Sequence, residues 1–344
     1  MMLLDGSADP AIDQSIATAT DENTSAVNRL LVCLSDDGGE ARALAEAAKL
    51  ADYHGAEASV VDVVPAAELS DDLLEGIVPV QELVDAIAER RTQELRQVID
   101  DAAPRLDTGG GVRTLTGIPF IEIIGEAVNS RCDLILKTAE GRGSSGTSGL
   151  GSTDLHLLRK SPVPVMIVSH DRRGRVKQVL AAVDVLNSSP SAEAFNQRIL
   201  TMAREAARAN GASVCAVSAW HVSSEALLRR SALGDMDAEQ LELVVRKVEE
   251  VASSRQKALK QWYLETFPDE EAPEFALVNG AAREAIPGFV SDRGIDLVVM
   301  GTVSRTDIKG LLIGNTAESV LGAVRCSVLA LKPEGFITPV SLES

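Results

Sequence analysis

The sequence predicts an α/β protein of two tandem doubly wound domains, each a five-stranded, mainly parallel sheet of order 3-2-1-4-5 flanked by helices. Three observations carry this expectation. Short apolar runs alternate with stretches of helical periodicity along most of the chain. The alternation passes through five strands and then begins again. The composition, 45% hydrophobic but only 3% aromatic, supplies the Val-, Ile-, Leu- and Ala-rich core that parallel strands covered on both faces require. At 344 residues the chain has length for two domains, each with its own core.

Residues 1–26 are small and polar without periodicity and are expected to form a disordered tail. Domain 1, residues 27–171, opens with the strand Arg29–Leu34 and the helix Glu40–His54, whose Ala41, Leu44, Ala45, Ala48 and Ala51 share a face. Strand Glu57–Val64, helix Val80–Asp101, strand Val112–Thr116, helix Phe120–Ser130 and strand Leu134–Thr138 follow. A Gly/Ser-rich loop leads to the helix Thr153–Arg159 and the strand Val165–Ser169. After the charged link at Asp171–Arg175, domain 2, residues 174–333, repeats the order. Its strands are Val179–Asp184, Ser213–Trp220, Glu274–Val278, Leu297–Met300 and Val328–Leu331. Its helices are Ala192–Asn210, Asp237–Phe267, Ala282–Arg293 and Asn315–Val324, with residues 334–344 left as a C-terminal tail. In the long helix, Leu241, Val244, Val248, Val251, Leu259 and Trp262 form an apolar stripe that reads as core.

The two halves correspond residue by residue at both ends. A shift of 163 residues lays Asp133-Leu134 on Asp296-Leu297, Gly151 on Gly314, Thr153 on Thr316, Leu158 on Leu321 and Val165 on Val328. A shift of 149 lays residues 30–35 on residues 179–184, so the loops between must differ in length. In such sheets ligands sit beyond the carboxyl ends of the strands where the order reverses, here between strands 1 and 4.

That rule singles out the segment after strand 4 of domain 2, Gly301 to Thr316. Glycine lets backbone approach a ligand, and a helix N-terminus offers unpaired N–H groups with partial positive charge. Asn315 and Thr316 can cap that helix or donate to a phosphate, and Arg305 and Lys309 outnumber Asp307 in the loop. An ordinary loop with an ordinary cap fits the same residues.

Other chemistries find little support. A net charge of −18 opposes nucleic-acid binding. Cys33, Cys132, Cys215 and Cys326 are scattered and suit buried thiols, neither zinc ligands nor a disulfide framework. Gly141–Gly146 matches GxGxxG, but it follows the fourth strand, and Thr147 stands where a P-loop needs Lys. His54, His156, His170 and His221 form no ligand pair, and Ser152 and His156 on one helix cannot build a hydrolase triad. Trp220 and His221 read as core packing or loop anchoring. No apolar stretch spans a bilayer and no signal-peptide pattern opens the chain, so a cytoplasmic location is expected.

The wording DLVVMGTVSRTDIKGLLIGNTAESVL…RCSVLALKP resembles the closing segment of E-type tandem universal stress proteins, and STDLHLLRKSPVPV resembles the matching segment of their first half. The resemblance is close over about residues 281–344 and 132–168 and looser elsewhere. It implies the fold, the family and a cytoplasmic stress-response role, but not one ligand; the expected function is non-enzymatic binding of a small anionic ligand, with an adenine nucleotide as the leading choice. ATP-binding members of the broader family carry Gly-x2-Gly-x9-Gly-Ser/Thr and an Asp at the end of strand 1. The matching positions in domain 2 are Gly301, Ser304, Gly314 and Asn315, with Thr316 next door and Asp184 after strand 1. In domain 1 they are Thr138, Gly141, Gly151 and Ser152, with Thr153 beside them and Ser35 in place of the Asp. Each half is thus an incomplete ATP site, and domain 2 is favoured as the binder because it keeps the carboxylate and the first glycine. No resident cofactor is demanded; ATP or AMP is the implied ligand, with magnesium only alongside ATP. The resemblance also implies that the last strands, Val165–Ser169 and Val328–Leu331, pair antiparallel within the chain. A homodimer of whole chains stays open. A carrier of an apolar or lipid-like ligand that uses Val222–Met236 is the rival reading, and a weak ATPase a third.

Overall fold

The computed structural model describes residues 27–35, 38–65, 80–140, 149–170, 175–222, 238–303 and 313–341. The first half runs β1 (Arg29–Cys33), α1 (Glu40–His54), β2 (Glu57–Pro65), α2 (Val80–Ala102), β3 (Val112–Gly117), α3 (Pro119–Asn129), β4 (Leu134–Thr138), α4 (Ser152–Lys160) and β5 (Val165–Val168). The second runs β6 (Gln178–Ala182), α5 (Pro190–Asn210), β7 (Ser213–Trp220), α6 (Ala238–Thr266), β8 (Glu274–Asn279), α7 (Ala282–Arg293), β9 (Leu297–Gly301), α8 (Asn315–Ala323) and β10 (Ser327–Leu331). The expected tail at 1–26 and the centre of the link, 171–174, lie outside the described residues.

All ten strands join one sheet in the order β3-β2-β1-β4-β5-β10-β9-β6-β7-β8. Read in its own numbering, each half has the order 3-2-1-4-5. Strands within a half are parallel, and the join between halves is antiparallel, with Val328 opposite Ile167, Leu329 opposite Met166 and Ala330 opposite Val165. The central strands are buried on both faces and read as continuous apolar runs for that reason. One core cluster covers each face, and each cluster draws residues from both halves.

The two sequence shifts meet in one repeated contact. Asp133 Oδ2 accepts the N–H groups of Asn28 and Arg29 at 2.7 and 2.9 Å. Asp296 Oδ2 accepts those of Lys177 and Gln178, both at 2.9 Å. In each half a carboxylate just before strand 4 thus holds the start of strand 1. Gly55 and Gly211 close α1 and α5 with φ of 68° and 59°, left-handed angles that glycine adopts without steric cost.

On one face of the junction α1 packs against α5. Buried Asn210 donates to Glu46 Oε1 at 2.6 Å, and Lys49 donates to Asn210 Oδ1 at 3.0 Å. On the other face Arg159 pairs with Glu318. Between these lies Lys332, 4% exposed, which donates to the Leu158 carbonyl of the first half and to Thr302 Oγ1 of the second. Burial pushes its ammonium down to about 7.

Two expectations change. The stripe on α6 is core only from its middle onward: Leu259 is buried, whereas Leu241 is exposed. A 29-residue helix is roughly 43 Å long, about twice the length of the six-residue β8, so its N-terminal turns outrun the sheet. The first strand of the second half ends at Ala182, two residues before Asp184. The Asp184 N–H turns to Asn196 Oδ1 at 2.9 Å, away from the neighbouring strand. The four cysteines are buried free thiols, Trp220 is core, and no helix among the described residues is long and apolar enough to cross a membrane.

Candidate ligand-binding site

Pairing of β6 with β9, with Ala182 opposite Met300, places the order reversal of the second half where the topology rule expects it. Asp184 follows one strand and Gly301 ends the other, so both stand at the carboxyl end of the sheet. Asp184 is half-buried. Its Oδ1 accepts the Leu186 N–H at 3.2 Å, and Asn196 holds its backbone from both sides. Arg255 of α6 secures the same turn through the carbonyls of Val185 and Leu186. Gly314 is buried, and its N–H donates to the Thr302 carbonyl at 2.9 Å, which brings the start of α8 beside the end of β9. Asn315 and Thr316 are exposed on the first turn of α8. Gly314, the N-cap of that helix, has no side chain to satisfy the first-turn N–H groups. Its φ of −77° and ψ of 141° are open to any residue, so left-handed backbone is not the reason for glycine here.

Gly301 has a packing reason of its own. A Cβ built there would run into the ring of Phe195 from α5. The first half solves the same problem in reverse. Gly39 and Phe195 each stand sixteen residues before the glycine that closes their helix, Gly55 or Gly211. A Cβ on Gly39 would meet His170 and then Thr138, the residue at the position of Gly301. Small faces large in both halves, with the partners exchanged.

In the first half a cleft of about 620 Å³ opens at the carboxyl ends of the strands. Leu34, Ser35, Val61, Ile87, Ile123 and Lys137 are among the residues that line it. Arg91 bonds Asp62 at 2.6 Å inside it. Lys137 is 3% exposed and donates to Asp154 Oδ1 at 3.0 Å, with Glu140 at 3.5 Å. Burial alone would lower its ammonium, but Asp154 and Glu140 hold it above the ordinary lysine range. Asp154 Oδ2 accepts the N–H groups of Glu140 and Gly151, both at 2.8 Å. Glu140 Oε2 accepts the Thr153 N–H at 3.1 Å and fills the place of a Cβ on Gly151. The helix start that could receive an anion is therefore served by carboxylates of the chain itself. Gly151, Ser152 and Thr153 open α4, and the N–H groups of Gly151 and Thr153 face those carboxylates; Gly151 has φ −87°.

The shift of 163 carries Lys137, Glu140 and Asp154 onto Met300, Val303 and Ala317. The second half has no carboxylate at either position. Gly141 and Ser304 lie outside the described residues.

A profile of the universal stress protein family matches residues 26–169 and again residues 175–332. The chain belongs to the universal stress protein family, in tandem form. A protein named universal stress protein E from Escherichia coli K12 is 31% identical over 228 residues, which is 65% of this chain and 68% of that one. The protein of the same name from Salmonella typhi is 30% identical over 226 residues, 65% of this chain and 69% of that one. A solved structure titled as a putative universal stress protein from Pseudomonas aeruginosa UCBPP-PA14 has a TM-score of 0.64 at 23% identity, covering 90% of this chain and 95% of that one. A universal stress protein from Archaeoglobus fulgidus has a TM-score of 0.60 at 18% identity, covering 90% and 99%. These structures share the fold.

Against the nucleotide pattern of universal stress proteins, the two halves have departed differently. The residues that motif matching passed over are Phe195, Asn196, Lys137, Glu140 and Asp154. One signal was available: a lysine inside the apolar run LILKT, 163 residues ahead of a methionine. A buried cation calls for a partner, and Asp154 is that partner.

Proposed function

We propose that this universal stress protein is a non-enzymatic, cytoplasmic stress-response protein whose second half binds a small anionic ligand, an adenine nucleotide such as ATP or AMP. The observation that carries the reading is the pair Val303 and Ala317, which stand where the first half places Glu140 and Asp154. Without those carboxylates, the first-turn N–H groups of α8 and the partial positive charge of the helix end suit an outside anion. In this reading Asp184 meets the ribose and Gly301, Gly314, Asn315 and Thr316 meet the phosphates; magnesium would enter only with ATP.

Turnover would need a general base and a metal-ligand set beside the phosphates. Among the described residues, Asp184 is the carboxylate that follows the first strand of the second half, and its Oδ1 accepts the Leu186 N–H. Mass spectrometry of small molecules released from denatured, freshly purified protein tests the ligand class. Adenine nucleotides are expected, and a lipid-like molecule would favour the carrier reading instead. With magnesium and ATP, phosphate release should be no faster than from Asp184→Ala protein; fast release lost in that variant would overturn the non-enzymatic reading.

A further inference from the structure

The first half's cleft has a volume within the usual range for small-molecule sites, roughly 300–1,000 Å³. Its charges are already used. Lys137 is held by Asp154 and Glu140, Arg91 by Asp62 and Glu94, and Arg90 by Glu94 at 3.1 Å. The rest of the lining is mostly apolar, with Leu34, Val61, Val63, Pro65, Ile87 and Ile123, and its uncharged polar side chains are the hydroxyls of Ser35 and Thr153.

The phosphate position is closed as well. At the start of α4 the Gly151 N–H is bonded to Asp154 and the Thr153 N–H to Glu140. An incoming phosphate would have to displace Glu140 and would then face the Asp154 carboxylate, like charge against like. Lys137 reinforces the closure by binding both carboxylates, and its own burial makes it costly to strip of them.

We infer that the first half's cleft is a binding site for an uncharged, largely apolar small molecule, and that Glu140 is the specificity residue that keeps phosphate out of it. The inference stands on the first half alone and is independent of what the second half binds.

The test uses the full chain with two probes. N-phenyl-1-naphthylamine, an uncharged fluorophore, should bind the wild type, and Ile87→Glu should weaken it by about tenfold or more. Pyrophosphate, followed at the Gly151 and Thr153 amides by NMR, should leave those resonances in place in the wild type. In Glu140→Ala it should shift them, with a gain in affinity of about ten- to hundredfold. Glu140→Gln, which keeps an acceptor for Thr153 but loses the charge, should show a smaller gain and guards against misfolding of the alanine variant. The inference is overturned if pyrophosphate moves both amides in the wild type, if neither variant gains binding, or if Ile87→Glu leaves the fluorophore titration unchanged.

Discussion

The ring of Phe195 occupies the space that a Cβ on Gly301 would need. Gly301→Ala should therefore destabilise the second half by about 1–3 kcal/mol through overpacking. Because the first half pairs Thr138 with Gly39 at the same place, shrinking Phe195 should relieve the strain. Urea denaturation of Gly301→Ala, Phe195→Ala and the double variant is expected to show the double variant well short of the sum. Additive losses would mean the two positions do not share that space.

Lys332 makes stability depend on pH in an unusual direction. Its amine falls from 10.5 to about 7 on folding, so between those values the unfolded chain binds more protons than the folded one. The cost of burying it is full below about pH 7 and absent above about 10.5, and stability should rise with pH across that window. The expected slope through the middle is about 1.4 kcal/mol per pH unit. Lys332→Met should remove this contribution. Denaturation midpoints of wild type and variant at several pH values check it, and parallel curves would show that Lys332 does not titrate there.

Most of the fold was legible because parallel strands buried on both faces leave unbroken apolar runs, and β1, β4, β7 and β9 differ from expectation by at most a residue at either end. The end of β6 was misread because Val183 prolongs the apolar pattern, whereas at Asp184 the N–H has already turned to Asn196. α6 was read as core along its whole stripe because periodicity records a face but not how far the sheet beneath it extends. The site was legible only in outline. Glycines at 301, 314 and 151 stand at the carboxyl end of the sheet, yet the reason for two of them is a neighbour, Phe195 or Glu140, distant in the pattern. Side chains that fill a site from within leave no motif; only the residue-by-residue comparison of the halves exposes them.

The join of β5 to β10 predicts how the first half behaves alone. Residues 1–171 would expose the edge of β5 and the apolar face shared with the second half. Light scattering after size-exclusion chromatography should find that fragment self-paired or aggregated, while the whole chain stays well behaved. A monodisperse monomeric fragment would show that the edge needs no partner.

The central claim is that the two halves differ in whether their own carboxylates serve the phosphate position, and calorimetry with ATP tests it most directly. Val303→Glu introduces at α8 the carboxylate that Glu140 supplies at α4. The account predicts that wild type binds ATP, that Val303→Glu weakens binding by about ten- to hundredfold, and that Gly151→Val leaves it nearly unchanged. Unchanged binding in Val303→Glu together with loss in Gly151→Val would contradict the account and move the nucleotide to the first half.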